Sequence, residues 1–166
     1  MIRVTASPPR LQTAWEVPMK QVVALLVGSG RFELAYMQWR SSLEVGHDQI
    51  DREHRSLVEA LNRLHAAMKM GKGKEEIGQI LVFLKDYTES HFKTEEAMML
   101  KHGYPAAQRH LAAHADLVQQ VSALVTNYHA GRALLTGAVF DFLEGWLVKH
   151  IMSEDKVLGD FMKSKA

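Results

Sequence analysis

Between residues 91 and 114 the sequence carries two pairs of potential metal ligands at helical spacing, His91 with Glu95 and His110 with His114. On an α-helix, positions i and i+4 share one face about a turn apart, close enough to hold one ion or to serve two adjacent ones. Matching donors flank the stretch, in Asp51-Arg-Glu-His54 upstream and His150-Ile-Met-Ser-Glu-Asp155 downstream. Five histidines and two carboxylates in apolar surroundings constrain this chain more than any other feature. Without a cation, a core holding seven such groups would have to satisfy each one separately against its desolvation cost. The set His54, His91, Glu95, His110, His114, His150 and Asp155 therefore predicts a metal site.

The apolar period around these residues is helical. A first helix, about Asp48 to Met70, aligns His54 with Leu57, Val58, Leu61, Leu64 and Met68, and ends at Gly71-Lys-Gly73. A second, about Lys74 to Lys101, places Ile77, Ile80, Leu81, Leu84, Thr88, His91, Glu95 and Met98 on one stripe before Gly103 and Pro105. The third, about Pro105 to Tyr128, opens on a proline suited to a first turn and aligns His110, Leu111, His114, Leu117, Val118, Val121, Leu124 and Val125. The fourth, about Ala133 to Asp155, carries Val139, Phe142, Leu143, Trp146, Leu147, His150 and Ile151, and a short tail with Val157, Leu158 and Phe161 follows. Four amphipathic helices joined by short turns predict an all-α, antiparallel up-down four-helix bundle over residues 39–166, preceded by an N-terminal extension.

Antiparallel order can bring the donors to one level. His54 lies 37 positions before His91, Glu95 lies 15 before His110, and His114 lies 36 before His150. Running up one helix and down the next, those separations return each donor to a similar height. His150 and Asp155 are the exception: five positions apart, they diverge by roughly 140° on a regular helix. A π-type turn or a helix end between them is needed to bring Asp155 onto the donor face. The remaining histidines fit other roles, His47, His102 and His129 at helix ends or on the surface and His65 at a core boundary.

Bulk properties bound the alternatives. With 166 residues the chain can bury a single core. With 20 basic against 19 acidic residues and a net charge of +1, it has no field to attract nucleic acid or an anionic membrane, and neither partner is expected. The absence of cysteine leaves only nitrogen and oxygen ligands and fits a cytoplasmic location. Residues 1–38 differ in character. Pro8, Pro9, Pro18, Gly28 and Gly30 interrupt any helical period, and Val22 to Val27, the longest apolar run, suits a short strand or amphipathic turn and is far too short for the roughly 20 residues of a membrane span.

Trp39, Val45-Gly46, Ile50-Asp51-x-x-His54-Arg55, His91-Phe92-x-x-Glu95-Glu96 with Met99, Gly103-Tyr104-Pro105, His110-x-x-x-His114 and Trp146-Leu147-x-x-His150-Ile151-x-x-x-Asp155 together resemble the bacterial hemerythrins. The resemblance spans about residues 39–160. Glu53 departs from it, standing where many members have glutamine before the first ligand histidine.

The resemblance implies a non-haem di-iron centre, with His110, His114 and His150 on one iron, His54 and His91 on the other, and Glu95 and Asp155 bridging. Two octahedral irons have twelve positions. Five imidazoles, two bridging carboxylates and a shared oxo or hydroxo ligand fill eleven, leaving one for dioxygen on the iron with two histidines. Trp146, Leu147 and Ile151 are the expected walls of an apolar pocket around it. The implied function is reversible dioxygen binding for carriage, storage or delivery to an oxygen-consuming enzyme, by a monomer or weak homo-oligomer and without enzymatic turnover. An oxygen or redox sensor module, or a di-iron oxidase, peroxidase or nitric-oxide-handling enzyme, is the alternative. Ferritin-like di-iron oxidases use glutamate-rich sets with Glu-x-x-His motifs on two helices. The one such motif here, Glu44-Val-Gly-His47, is broken by glycine.

Overall fold

A computed structural model describes residues 35–165. The leader expected over residues 1–38, including the strand or turn at Val22 to Val27, lies outside these except at its end. There, Met37 is already in the core. Its N–H donates to Asn62 Oδ1 at 2.8 Å, and Asn62 Nδ2 donates back to its carbonyl at 2.9 Å.

Four helices form the antiparallel bundle: α1 (Asp48–Lys69), α2 (Lys74–His102), α3 (Ala107–His129) and α4 (Gly137–His150). A π-helical turn, Ile151–Asp155, and a last helix, α5 (Lys156–Lys163), continue α4. Helix α1 packs on α2, α2 on α3, and α4 on α1. Among the described residues, no helix is long and apolar enough to cross a membrane.

The ends of these helices follow local chemistry. Gly103, at φ 62°, ends α2 in the left-handed conformation that glycine adopts without steric cost. The N–H of Tyr104 then donates to the Met99 carbonyl at 3.0 Å, which reverses the chain toward α3. Helix α3 begins two residues after Pro105, because Pro105 and Ala106 form the turn that precedes it, with Ala107 N–H donating to the Tyr104 carbonyl. Helix α4 starts at Gly137, later than the expected Ala133. Thr136 caps it by accepting from the Val139 N–H, a role favoured at helix starts because the first amides lack partners.

The predicted stripes form the core, with three corrections at their margins. Leu111, Phe142 and Val157 are exposed, each lying at the edge of an apolar face wider than the surface it covers, whereas Phe140 and Tyr128 are buried. The start of α1 is fixed from inside. The buried Asp51 carboxylate accepts the Val45 N–H at 2.8 Å and the Gly46 N–H at 3.1 Å. Val45 in turn meets α5 at Gly159, where a side chain would collide with the Val45 carbonyl. That contact anchors the segment carrying Asp155.

Candidate metal centre

Each of the seven donors projects inward from its helix because it occupies an apolar phase of the stripe. His54 comes from α1, His91 and Glu95 from α2, His110 and His114 from α3, and His150 from α4. Asp155 arrives by the π turn. In a π turn, bonding runs from i to i+5, so residue 155 returns over residue 150 and does not point away from it. Asp155 Oδ1 lies 3.0 Å from His150 Nε2, so the irregular turn required by the spacing is present and aims the carboxylate inward. Glu95, Asp155, His54 and His110 are fully buried, and the other three histidines nearly so.

The donors fall into two groups that share both carboxylates. Glu95, His110, His114, His150 and Asp155 form one, and His54, His91, Glu95 and Asp155 the other, with the donor atoms of each within 4.8 Å of one another. The carboxylate oxygens divide between the groups. Glu95 Oε2 faces His114 Nε2 at 3.2 Å and His110 Nε2 at 3.5 Å, while Oε1 faces His91 Nε2 at 3.6 Å and His54 Nε2 at 4.0 Å. Asp155 Oδ1 lies 3.0 Å from both His110 and His150 Nε2, while Oδ2 lies 3.1 Å from His54 Nε2. Two three-atom carboxylates thus span the gap between the groups.

Cations fit this arrangement better than protons do. His150 Nε2 is 3.1 Å from both His110 Nε2 and His114 Nε2, so three ring nitrogens converge where a hydrogen bond needs only two partners. Both oxygens of Glu95, both oxygens of Asp155 and His54 Nε2 are buried without a hydrogen-bond partner. Unpaired buried charge of this kind costs several kcal/mol per group in a low-dielectric interior. An octahedral ion with bonds of about 2.1 Å sets neighbouring donors roughly 3.0 Å apart, whereas tetrahedral bonds of that length spread them to roughly 3.4 Å. The closest spacings in the three-histidine group, 3.0 to 3.2 Å, match the octahedral edge.

Electrostatics point the same way. Burial raises the Glu95 carboxyl and the Asp155 charge raises it further, but the His110 and His114 rings beside it and the charge of His91 outweigh both and hold it at about 2. For Asp155, burial also opposes ionisation, and His110, His150 and His54 hold it well below the ordinary value. Burial lowers His110, yet Asp155 and Glu95 push it up to about 9. The two carboxylates therefore stay ionised and draw positive charge to the imidazole nitrogens.

Residues behind the donors fix their orientation. His91 Nδ1–H donates to Glu53 Oε2 at 2.9 Å, and His114 Nδ1–H donates to Glu96 Oε1 at 3.2 Å, which leaves each Nε2 lone pair free to face the centre. Phe92 lies parallel to the His114 ring, with centroids 3.6 Å apart and planes 5° off. Trp146 stacks on His150 at 4.3 Å. Periodicity could not find the Glu96 and Phe92 contacts, since both depend on where α2 and α3 touch.

A cavity of about 30 Å³ adjoins the donors, bordered by His91, His150 and Asp155 and walled by apolar side chains, Leu57, Phe92 and Leu147 among them. Of the expected walls, Trp146 and Leu147 line it. Ile151 is fully buried but does not border it, since it sits one step and roughly 100° past His150. His65 lies apart from the donors, stacked on Tyr36 at 4.3 Å.

Residues 45–161 match the hemerythrin HHE cation-binding domain. A bacteriohemerythrin of Methylococcus capsulatus is 36% identical over 128 residues, covering 76% of this chain and 96% of that protein. Myohemerythrin-1 of Phascolopsis gouldii is 30% identical over 117 residues, covering 70% of this chain and 87% of the relative. The crystal structure of a wild-type hemerythrin superposes with a TM-score of 0.73 at 34% identity, covering 77% of this chain and 98% of that one. With its bundle, its donor layer and these likenesses in agreement, the chain belongs to the hemerythrin family.

Proposed function

We propose that this protein binds dioxygen reversibly at a pair of non-haem irons. His110, His114 and His150 would hold one and His54 and His91 the other, with Glu95 and Asp155 offering an oxygen to each. The observation that carries the reading is the division of both carboxylates: each offers one oxygen to a three-histidine group and the other to a two-histidine group. The unequal histidine count would leave the two-histidine side with one donor fewer, and dioxygen would bind there. A pair of ferrous ions held by these residues would supply the two electrons that reversible dioxygen binding needs.

The surrounding residues favour binding over turnover. Leu57, Leu147 and Phe92 give an apolar wall to the cavity that borders His91 and Asp155. Thr88 supplies the one hydroxyl among the lining residues, and its proton is committed to the Leu84 carbonyl at 2.8 Å. The cavity, at about 30 Å³, exceeds the roughly 10–15 Å³ that a water-sized guest needs, so a diatomic molecule is a suitable occupant. Five imidazoles against two carboxylates make the shell far less anionic than the glutamate-rich shells of ferritin-like oxidases. The names of the relatives, bacteriohemerythrin and myohemerythrin, favour the same reading. Carriage, storage or delivery of oxygen to an oxygen-consuming enzyme follows as the role.

The test is optical and stoichiometric. Reduced, iron-loaded protein exposed to air should gain a charge-transfer absorption that disappears under inert gas and returns on re-exposure, with two irons per chain. Retention of one metal or fewer per chain, or steady consumption of oxygen with an added reductant and no reversible band, overturns the proposal.

A further inference from the structure

We infer that Glu53 sets the electronic character of the two-histidine metal position through the Nδ1–H of His91, which makes it a positioning residue that tunes how readily that metal is oxidised. The inference rests on the di-iron reading above and concerns one side of that centre. The carboxylate is clamped in place. Oε2 accepts from His91 Nδ1 at 2.9 Å, while Oε1 accepts from Gln49 Nε2 at 3.1 Å and lies 3.3 Å from the Thr94 hydroxyl. Gln49 sits one turn before Glu53 on α1, and Thr94 and His91 come from one face of α2. Two helices therefore pin the group behind the imidazole, at the ring nitrogen that does not face the donor centre.

The consequence differs between the two metal positions. An anionic acceptor behind an imidazole draws its N–H proton and makes the opposite nitrogen a stronger donor, which favours the higher charge on a bound ion. The three-histidine group has such a partner in Glu96, but at 3.2 Å, with its side chain 36% exposed, and on one of three rings. In the two-histidine group Glu53 is closer, only 18% exposed, and acts on one of two rings. The other ring of that pair, His54, has no partner at Nδ1. Among the described residues, one less-screened carboxylate thus supplies the anionic support behind the rings of the two-histidine side.

E53Q keeps the size and the acceptor oxygen but removes the charge, so a merely structural role for Glu53 would survive it. In the full chain, chelator competition with cobalt(II) should show two metals per chain in both proteins, with one position about tenfold weaker in E53Q, the lower end of the effect expected on losing such a partner. The iron pair of E53Q should have a higher midpoint potential, by about 59 mV for each tenfold of ferric preference lost. T94V, which loosens the clamp but leaves the charge, should move the potential the same way by less. E96Q should leave the weakened position of E53Q unaffected. If E53Q matches the wild type in cobalt affinity and potential, the inference is wrong. If the wild type itself binds fewer than two metals, the di-iron reading is what fails.

Discussion

Ten or eleven positions along each helix from its donor stands a buried apolar residue: Leu64 from His54, Leu81 from His91, Val125 from His114 and Phe140 from His150. At 1.5 Å per residue, roughly 15 Å separates this apolar level from the donor level. The same four helices thus carry two layers of opposite chemistry. At the apolar level each leucine contributes on the order of 1.5–3 kcal/mol by leaving water. At the donor level two fully buried carboxylates oppose folding until something positive neutralises them. Folding and metal binding are therefore separable in this bundle, the first resting on the apolar layer and the second on the donor layer.

The sharpest way to break that separation is Asp155→Ala. Asp155 gives one oxygen to each donor group, so its loss should weaken both metal positions together, by more than the roughly 10–100-fold that removing a partner behind a ligand costs. Metal analysis should find less than one ion per chain. The circular dichroism of the helices should remain, because Leu158 is still buried and Gly159 still packs against Val45. Retention of two ions would mean that Asp155 does not bridge.

The opposite substitution, Leu81→Ala, should leave two ions per chain and reduce stability by about 2–5 kcal/mol, the usual cost of a cavity at a fully buried leucine. Urea unfolding of the metal-free protein checks the energy, and metal analysis checks the stoichiometry. A loss of metal without a loss of stability would contradict the division of labour between the layers.

Acidity should separate the layers without a mutation. In the metal-free protein Glu95 is held at about 2 against an ordinary 4.5, so its contribution is complete above pH 4.5 and fades as pH falls toward 2. His110 is raised to about 9 against 6.5, so its contribution is complete below pH 6.5 and fades as pH rises toward 9. The metal-free bundle should therefore be most stable between pH 4.5 and 6.5. The loaded protein needs neutral imidazoles and should lose metal as pH falls through the same region. Melting temperatures of the two forms should diverge between pH 6.5 and 9, and parallel curves would show that the donors do not titrate as a unit.

The sequence made the donor layer readable because charged groups stood in apolar phases, where only a shared cation makes their burial tolerable. The i,i+5 interval of His150 and Asp155 even required the helical irregularity found at Ile151–Asp155. Helix existence was equally plain, while starts were not: whether Ala133 or Gly137 opens α4 depends on which hydroxyl reaches a free amide, and Thr136 does. Contacts between helices were beyond reach. Nothing in the pattern says that Glu96 on α2 meets His114 on α3, or that Ile151 turns away from the cavity while Leu147 faces it. Those facts depend on helix rotation at a resolution finer than one apolar stripe.

The mildest perturbation touches the border between the layers. Leu147, one turn before His150, lines the cavity, and Leu57 faces the same space from α1. Leu147→Ala would strip three carbons from the apolar wall of that space and ease the passage of water to His91 and Asp155. Water brings protons, and a protonated, hydrated ligand leaves with the electrons it borrowed, so the oxygenated form should decay to the ferric state several-fold faster. The initial oxygen-dependent absorption and the two irons per chain should be unchanged, since no donor has moved. The rate of decay of that absorption in air, compared between wild type and L147A, measures the effect. An unchanged rate would place the water barrier elsewhere on the cavity wall, with Phe92 the next residue to truncate, because it is packed flat against His114 and also faces the opening.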